Sequence, residues 1–209
     1  MMFGSSRVYT TQRLYWTNAA APYTPATFKG GWGGTASAVA KYLSSSTSGA
    51  TANVSAVKGM GTSTEAYFRF ISDGLVTGYN FSGSTVDFCV GGNQSYASGT
   101  QTVNVRIFIY LTTGDSDTNR GTLLNYTGTV NWTNGVAQGY AVTGQALSAV
   151  TATALDRICV ELGFSYNTAV NDTVTMYYGN TGSTLLTNGS TNVTTEPGWI
   201  LFSRQLPLA

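Results

Sequence analysis

The chain has 209 residues and a mass of 22.0 kDa, with 9% charged residues, a net charge of +1 and no histidine. That balance excludes a basic surplus for nucleic-acid backbones and an acidic surplus for capturing cations. The missing histidine excludes Ser-His-Asp and Cys-His nucleophilic sites and any zinc centre with a histidine ligand.

Serine and threonine number 53, and with 25 Gly and 14 Asn the small turn-forming residues reach 92 of 209. Aromatic residues at 12%, with β-branched residues throughout, are too many for a disordered chain. The first strand is expected at residues 7–16. Residues 18–25, NAAAPYTP, read as an extended crossing because prolines interrupt them. Further strands are expected at 36–43, 53–58, 64–71, 79–81 with 85–90, and 102–111. In the last of these Val103, Val105, Ile107, Ile109 and Leu111 share one face, and Arg106, Phe108 and Tyr110 share the other. Later strands are expected at 122–126, 136–142, 156–164, 173–178 and 198–206. In 156–164 Ile158, Val160, Leu162 and Phe164 face inward, while Arg157, Cys159, Glu161 and Gly163 face out. Turn chemistry separates the strands: GGWGG at 30–34, SSSTSG at 44–49, SDG at 72–74, GGNQ at 91–94, TGDSDTNRG at 113–121 and TNG at 133–135. One helical turn is expected near residues 146–149.

About ten short strands without helices between them imply an all-β chain, an antiparallel two-sheet β-sandwich of jelly-roll type. No linker or composition shift divides residues 1–209, so a single domain is expected, with 1–35 an extended N-terminal strand and crossing segment. The opening residues lack the apolar run of a secretory signal, and no stretch approaches the roughly 18 apolar residues of a spanning helix. The expectation is a chain made in a cytosol, with Cys89 and Cys159 reduced and partly buried. Eight Asn-x-Ser/Thr triplets, at Asn53, Asn80, Asn93, Asn125, Asn131, Asn171, Asn188 and Asn192, then read as turn and strand composition.

Few residues suggest chemistry. Asp115, Asp117 and Asn119 have the alternate spacing that opens a calcium loop, but Arg120 sits where the glycine belongs and Tyr126 where the bidentate acid belongs. An ordinary hairpin turn is expected there. Asp156 and Glu161 are five positions apart, which puts them on opposite strand faces; Glu65 and Asp73 flank another strand. Trp32, Tyr96, Tyr126 and Trp132 lie in or beside polar loops, where flat aromatic faces suit sugars or subunit contacts. Trp16 and Trp199 lie in strand patterns and are expected in the core. No catalytic, cofactor-binding or metal-ligating residue is assigned, and no cofactor.

Several segments, in one order along the chain, resemble uncharacterised virion structural proteins of tailed bacteriophages: RLYWTNAAAPYTPATFKGGW at 13–32, FISDGL at 70–75, RGTLL at 120–124, LSAVTATALDRICVELGF at 147–164 and GWILFS at 198–203. That family pattern carries Gly before Asp-Arg-Ile and Asn-Pro before the last Trp. Here Leu155 and Pro197-Gly198 stand there, and a Gly/Ser-rich stretch is added at 44–49. The resemblance implies a jelly-roll-like virion component and transfers no catalytic residue. It also implies that Arg120 and Arg157 anchor carboxylates or strand-end carbonyls, and that Trp32 and Trp199 cap the sandwich.

The resulting expectation is a non-enzymatic capsid decoration or cement protein, located in the virion after assembly in the host cytoplasm. Its partners would be major capsid or tail proteins and copies of itself, with neither nucleic acid nor membrane. The rival reading is a glycan-binding adhesin on the tail or baseplate. A glycan hydrolase, which needs two acids at working separation, is the third.

Overall fold

The computed structural model describes residues 10–37, 40–58, 61–96, 102–130, 132–168 and 171–208. Residues 7–9 of the first expected strand, residues 38–39 of the second, and Asn131 lie outside them. Among the described residues there are twelve strands and no helix: β1 (Gln12–Ala20), β2 (Gly34–Thr35), β3 (Ala40–Ser44), β4 (Ala52–Lys58), β5 (Gly61–Gly74), β6 (Thr85–Tyr96), β7 (Thr102–Thr112), β8 (Asn119–Val130), β9 (Gln138–Ala146), β10 (Arg157–Thr168), β11 (Asp172–Tyr178) and β12 (Trp199–Phe202).

The strands form one continuous ladder in the order β4-β11-β6-β12-β1-β3-β5-β10-β7-β8, with β9 also on β6 and β2 also on β5. In place of two separate antiparallel sheets, β12, β1 and β3 join the two arms by hydrogen bonds. The sheet is mixed, because β2 and β3 run parallel to β5.

Alternation explains most strands. The expected inward rows of β7 and β10 are fully buried or nearly so. They join one large cluster with Phe88 and Val90 of β6, Val174 and Met176 of β11, and Ile200 and Phe202 of β12. The arms therefore face each other through side chains. Phe68 of β5 meets Tyr178 of β11 with ring centres 4.4 Å apart, and Phe88 of β6 meets Tyr126 of β8 at 5.4 Å. The Tyr67 hydroxyl donates to the Val174 carbonyl at 3.1 Å.

Four local expectations fail. SDG at 72–74 lies inside β5, because β10 pairs along that strand as far as Gly74. GGNQ at 91–94 lies inside β6, where its glycines serve close approach. A Cβ on Gly92 would come within 1.9 Å of the Trp132 ring, and one on Gly91 within 3.1 Å of Val193. β1 continues to Ala20, so the crossing starts after it. Residues 146–149 form no helical turn: Ala146 ends β9, the Leu147 N–H donates to the Ser84 carbonyl and the Ser148 N–H to that of Leu123.

Leu155 has a φ of 67° and is exposed, a left-handed backbone that disfavours a branched side chain.

Candidate functional site

The outward face of β5, β10 and β7 is covered by the segment from Ala21 to Ala36, a strap that crosses it. Ile71, Phe108, Tyr110 and Cys159 form a second buried cluster there, with Ala21 and Trp32 packed on it. Glu161, expected on an exposed face, has no exposed surface at all. Its carboxylate accepts the N–H of Lys29 at 2.6 Å, the N–H of Gly30 at 2.8 Å and the Trp32 indole N–H at 2.7 Å. Two successive backbone donors form a small anion-binding nest, and the following Gly31 has the positive φ of 63° that such a bend requires. A Cβ on Gly30 would meet the Trp32 indole nitrogen at 2.6 Å. The GGWGG run is therefore the shape of a carboxylate cradle.

Two arginines and an aspartate tie down the rest of the strap. Arg69, 2% exposed, donates to the Thr27 carbonyl at 3.1 Å and lies over the Phe28 ring. Arg106 donates to the carbonyls of Gly30 and Gly31 and lies over the Trp32 ring at 4.6 Å. Asp117 accepts from the Thr27 hydroxyl at 2.8 Å and pairs with the Lys29 ammonium at 3.0 Å. Partial burial works to raise the Asp117 carboxyl, but Lys29 and Thr27 outweigh it and hold the group below its ordinary value.

Residues 113–118 are the β7–β8 connection, the rest of the expected turn at 119–121 lies inside β8, and the acids of the connection are occupied as anchors. Asp117 holds the strap, and Asp115 pairs with Arg157, which also donates to the Ser72 carbonyl at 3.0 Å. Arg120 pairs with the buried Asp156, whose oxygens also accept the Thr153 N–H at 2.8 Å and its hydroxyl at 3.2 Å. Both arginines thus do what the resemblance implies. Asp156 and Glu161 serve separate partner sets. Asp73 accepts from the Tyr42 hydroxyl, whose pKa burial and that bond push up to about 12. No group of three His, Cys, Asp or Glu that suits a metal ion occurs among the described residues.

Cys89 and Cys159 are free and fully buried. Burial pushes each thiol up to about 12, so both stay protonated at neutral pH. Trp16 is in the core, with its indole N–H on the Cys89 carbonyl at 2.9 Å. Trp199, expected in the core, lies half-buried outside it beneath Arg13, and donates to the Leu186 carbonyl.

Of the aromatic residues picked as sugar platforms, Trp132 is 5% exposed and packs on Phe164, so its faces are taken. Tyr126 shares a hydroxyl contact of 3.0 Å with Tyr140. Tyr96 ends β6, where Asn134 bonds its backbone on both sides. Two recesses remain open. One of about 480 Å³ lies at the strap, between Phe28, Trp32, Thr35 and Arg69. One of about 150 Å³ lies between Trp132, Gln138, Tyr140 and Asn188. Arg69, Arg106 and Lys29 escaped the sequence reading. The hint for them was a glycine run beside Trp32, which marks a backbone folded around something small and charged.

No family model and no curated protein matches the chain. Among solved structures, "Structure of infectious bursal disease virus Gx strain" is similar at 12% identity and a TM-score of 0.28, over 78% of this chain. The chain spans 35% of the length of that one.

Proposed function

We propose that the chain is a non-enzymatic structural component of a tailed-bacteriophage virion, a capsid decoration or cement protein acting through many identical contacts. The observation that carries this reading is the use made of the charged side chains. Glu161, Asp156, Asp117 and Asp115 each join segments distant in sequence or brace a strand end. Carboxylates so committed are struts. What remains on the surface is neutral, β-rich and weakly self-repelling, which suits a static array. The ordered segments that resemble tailed-phage virion proteins favour the same particle, and the facing arms suit the jelly-roll sandwich expected from strand alternation. The action would be geometric: edges and loops bury surface against capsid or tail proteins and against other copies, and avidity multiplies weak contacts.

The test compares particles assembled with and without the chain under heat and osmotic shock. Particles lacking it should release their genome at lower temperature; equal resistance overturns the cement role.

The recess at the strap favours a second reading, a glycan-binding adhesin. Its volume falls within the roughly 300–1,000 Å³ of ligand sites, and Phe28 and Trp32 supply flat faces beside the Thr35 hydroxyl. Saturable binding to immobilised glycans that Phe28→Ala and Thr35→Ala both abolish would favour it over the cement role.

A further inference from the structure

We propose that the free edge of β4 is a homotypic docking edge, which pairs antiparallel with the β4 of a second copy about a two-fold axis through Ser55. The proposal deepens the multicopy reading above by naming one contact and its register.

Three strands longer than two residues have a single ladder neighbour: β4, β8 and β9. Two are protected. On β9, Gly139 exchanges backbone hydrogen bonds with Ser190 and Gly189, and the Ala141 N–H donates to the Asn188 side chain. On β8, the register against β7 shifts twice, and the Leu123 carbonyl is taken by the Ser148 N–H. Bulges and covering loops are the usual defences of a sheet edge. β4 has neither. Its seven residues pair with β11 from Lys58 to Ala52 without a register shift, and no backbone bond to its outer side occurs among the described residues. It contains no proline and carries no charge before Lys58. Val57, on its outward face, is 68% exposed, more than any other large apolar residue described.

The occupant follows from charge and alternation. Ala52, Val54 and Ala56 pack toward the core, while Asn53, Ser55 and Val57 face solvent. Residues directly opposite in an antiparallel pair lie on the same face, so a two-fold through a residue keeps both faces in register. Centring on Ser55 uses all seven residues. Ser55 then meets its own copy, Asn53 meets Val57, and Val54 meets Ala56. The outward rows continuing onto β11 and β6 are also uncharged: Val57–Thr173–Ser95 and Ser55–Thr175–Asn93. Two such faces therefore join without like charges meeting. A parallel pairing would set the two Lys58 positions side by side. The antiparallel one places them about 20 Å apart, at roughly 3.3 Å per residue, beyond the screening length of about 8–10 Å.

The full chain is examined by sedimentation over a range of concentrations. A reversible dimer is expected. Asn53→Lys combined with Val57→Lys sets like charges directly opposite at two places and should weaken the dimer by about tenfold or more. Asn53→Asp combined with Val57→Lys sets opposite charges there and should restore or tighten it. Both positions are exposed, so folding is unaffected, which circular dichroism checks. Under mild oxidation Ser55→Cys should form a cross-linked dimer, while Asn53→Cys, about 13 Å from its own copy at that rise, should not. A chain that stays monomeric, charge variants that behave alike, or equal cross-linking at both positions overturns the proposal. A monomeric chain that still hardens particles removes the β4 edge and leaves the cement role. A dimer that leaves particles fragile does the reverse.

Discussion

The outward faces of the two arms begin as similar polar-and-apolar alternations and end in different states. On β5, β10 and β7 the outward row includes Arg69, Glu161 and Arg106, and a strap 42, 131 and 76 residues away from them in sequence covers them. On β4 and β11 the outward residues Asn53, Ser55, Val57, Thr173 and Thr175 have no segment over them among the described residues, with a 2.7 Å contact between the Ser55 and Thr175 hydroxyls, while Tyr177, further along β11, packs with Leu186 and Val193. Charge marks the face beneath the strap; on the other arm the chain covers Cys89 and Tyr177 with apolar Leu186 and Val193, and the neutral patch around Ser55 stays open. A buried ion needs fixed donors, which the strap supplies to Glu161; a neutral face can be left wet or given to a partner.

The comparison breaks most sharply at Glu161. Glu161→Ala orphans three donors, each worth roughly 1–3 kcal/mol, so denaturant unfolding should show a loss of about 3 kcal/mol or more. Limited proteolysis should then cut within residues 26–31. Gly163→Ala tests the same region from beneath. Its Cβ would lie 1.9 Å from the Glu65 carbonyl and 2.8 Å from the Trp32 ring, and the expected cost is about 1–3 kcal/mol, read from the unfolding midpoint. Leu155→Gly should act in the opposite direction. Removing a side chain from a left-handed backbone position should stabilise by about 1 kcal/mol, seen as a higher melting temperature.

Smaller effects sharpen the contrast. Asp117 has a lowered pKa in the folded chain, so its stabilisation is present above the ordinary carboxylate range and is lost as pH falls through and below it. The protection of the strap's amides at 27–30, taken relative to their intrinsic exchange rates, should fall as pH drops below the ordinary carboxylate range, and Asp117→Asn should remove that dependence at a cost within about 1 kcal/mol. On the open face Val57→Thr should leave stability within about 0.5 kcal/mol of the parent while changing self-association.

How far the sequence could be read depended on the element. β7 was legible because TVNVRIFIYL alternates for ten residues without a glycine or proline, and its inward row lies in the core as expected. The acids of the β7–β8 connection were legible as turn chemistry but not as anchors, and the anchoring role of Arg120 and Arg157 came with the resemblance. The glycines of β6 were misleading, since a glycine that ends a strand and one that admits Trp132 to a strand surface look alike in one dimension. Glu161 was placed on the right face and given the wrong environment. Trp132 looked like a loop platform, and Phe164 and Gly92 enclose it.

By itself the sequence determined that the chain is β-built, which way each long strand's apolar row points, and how little charge is present to repel a neighbour. Those properties are local, because side-chain alternation and composition act over a few residues. The tertiary structure alone decided that one outward face is closed by a strap, that the arms are joined in a single ladder, and that β4 keeps an open edge. Such facts depend on which segments meet across a hundred or more residues, and a period-two pattern carries no record of its partner.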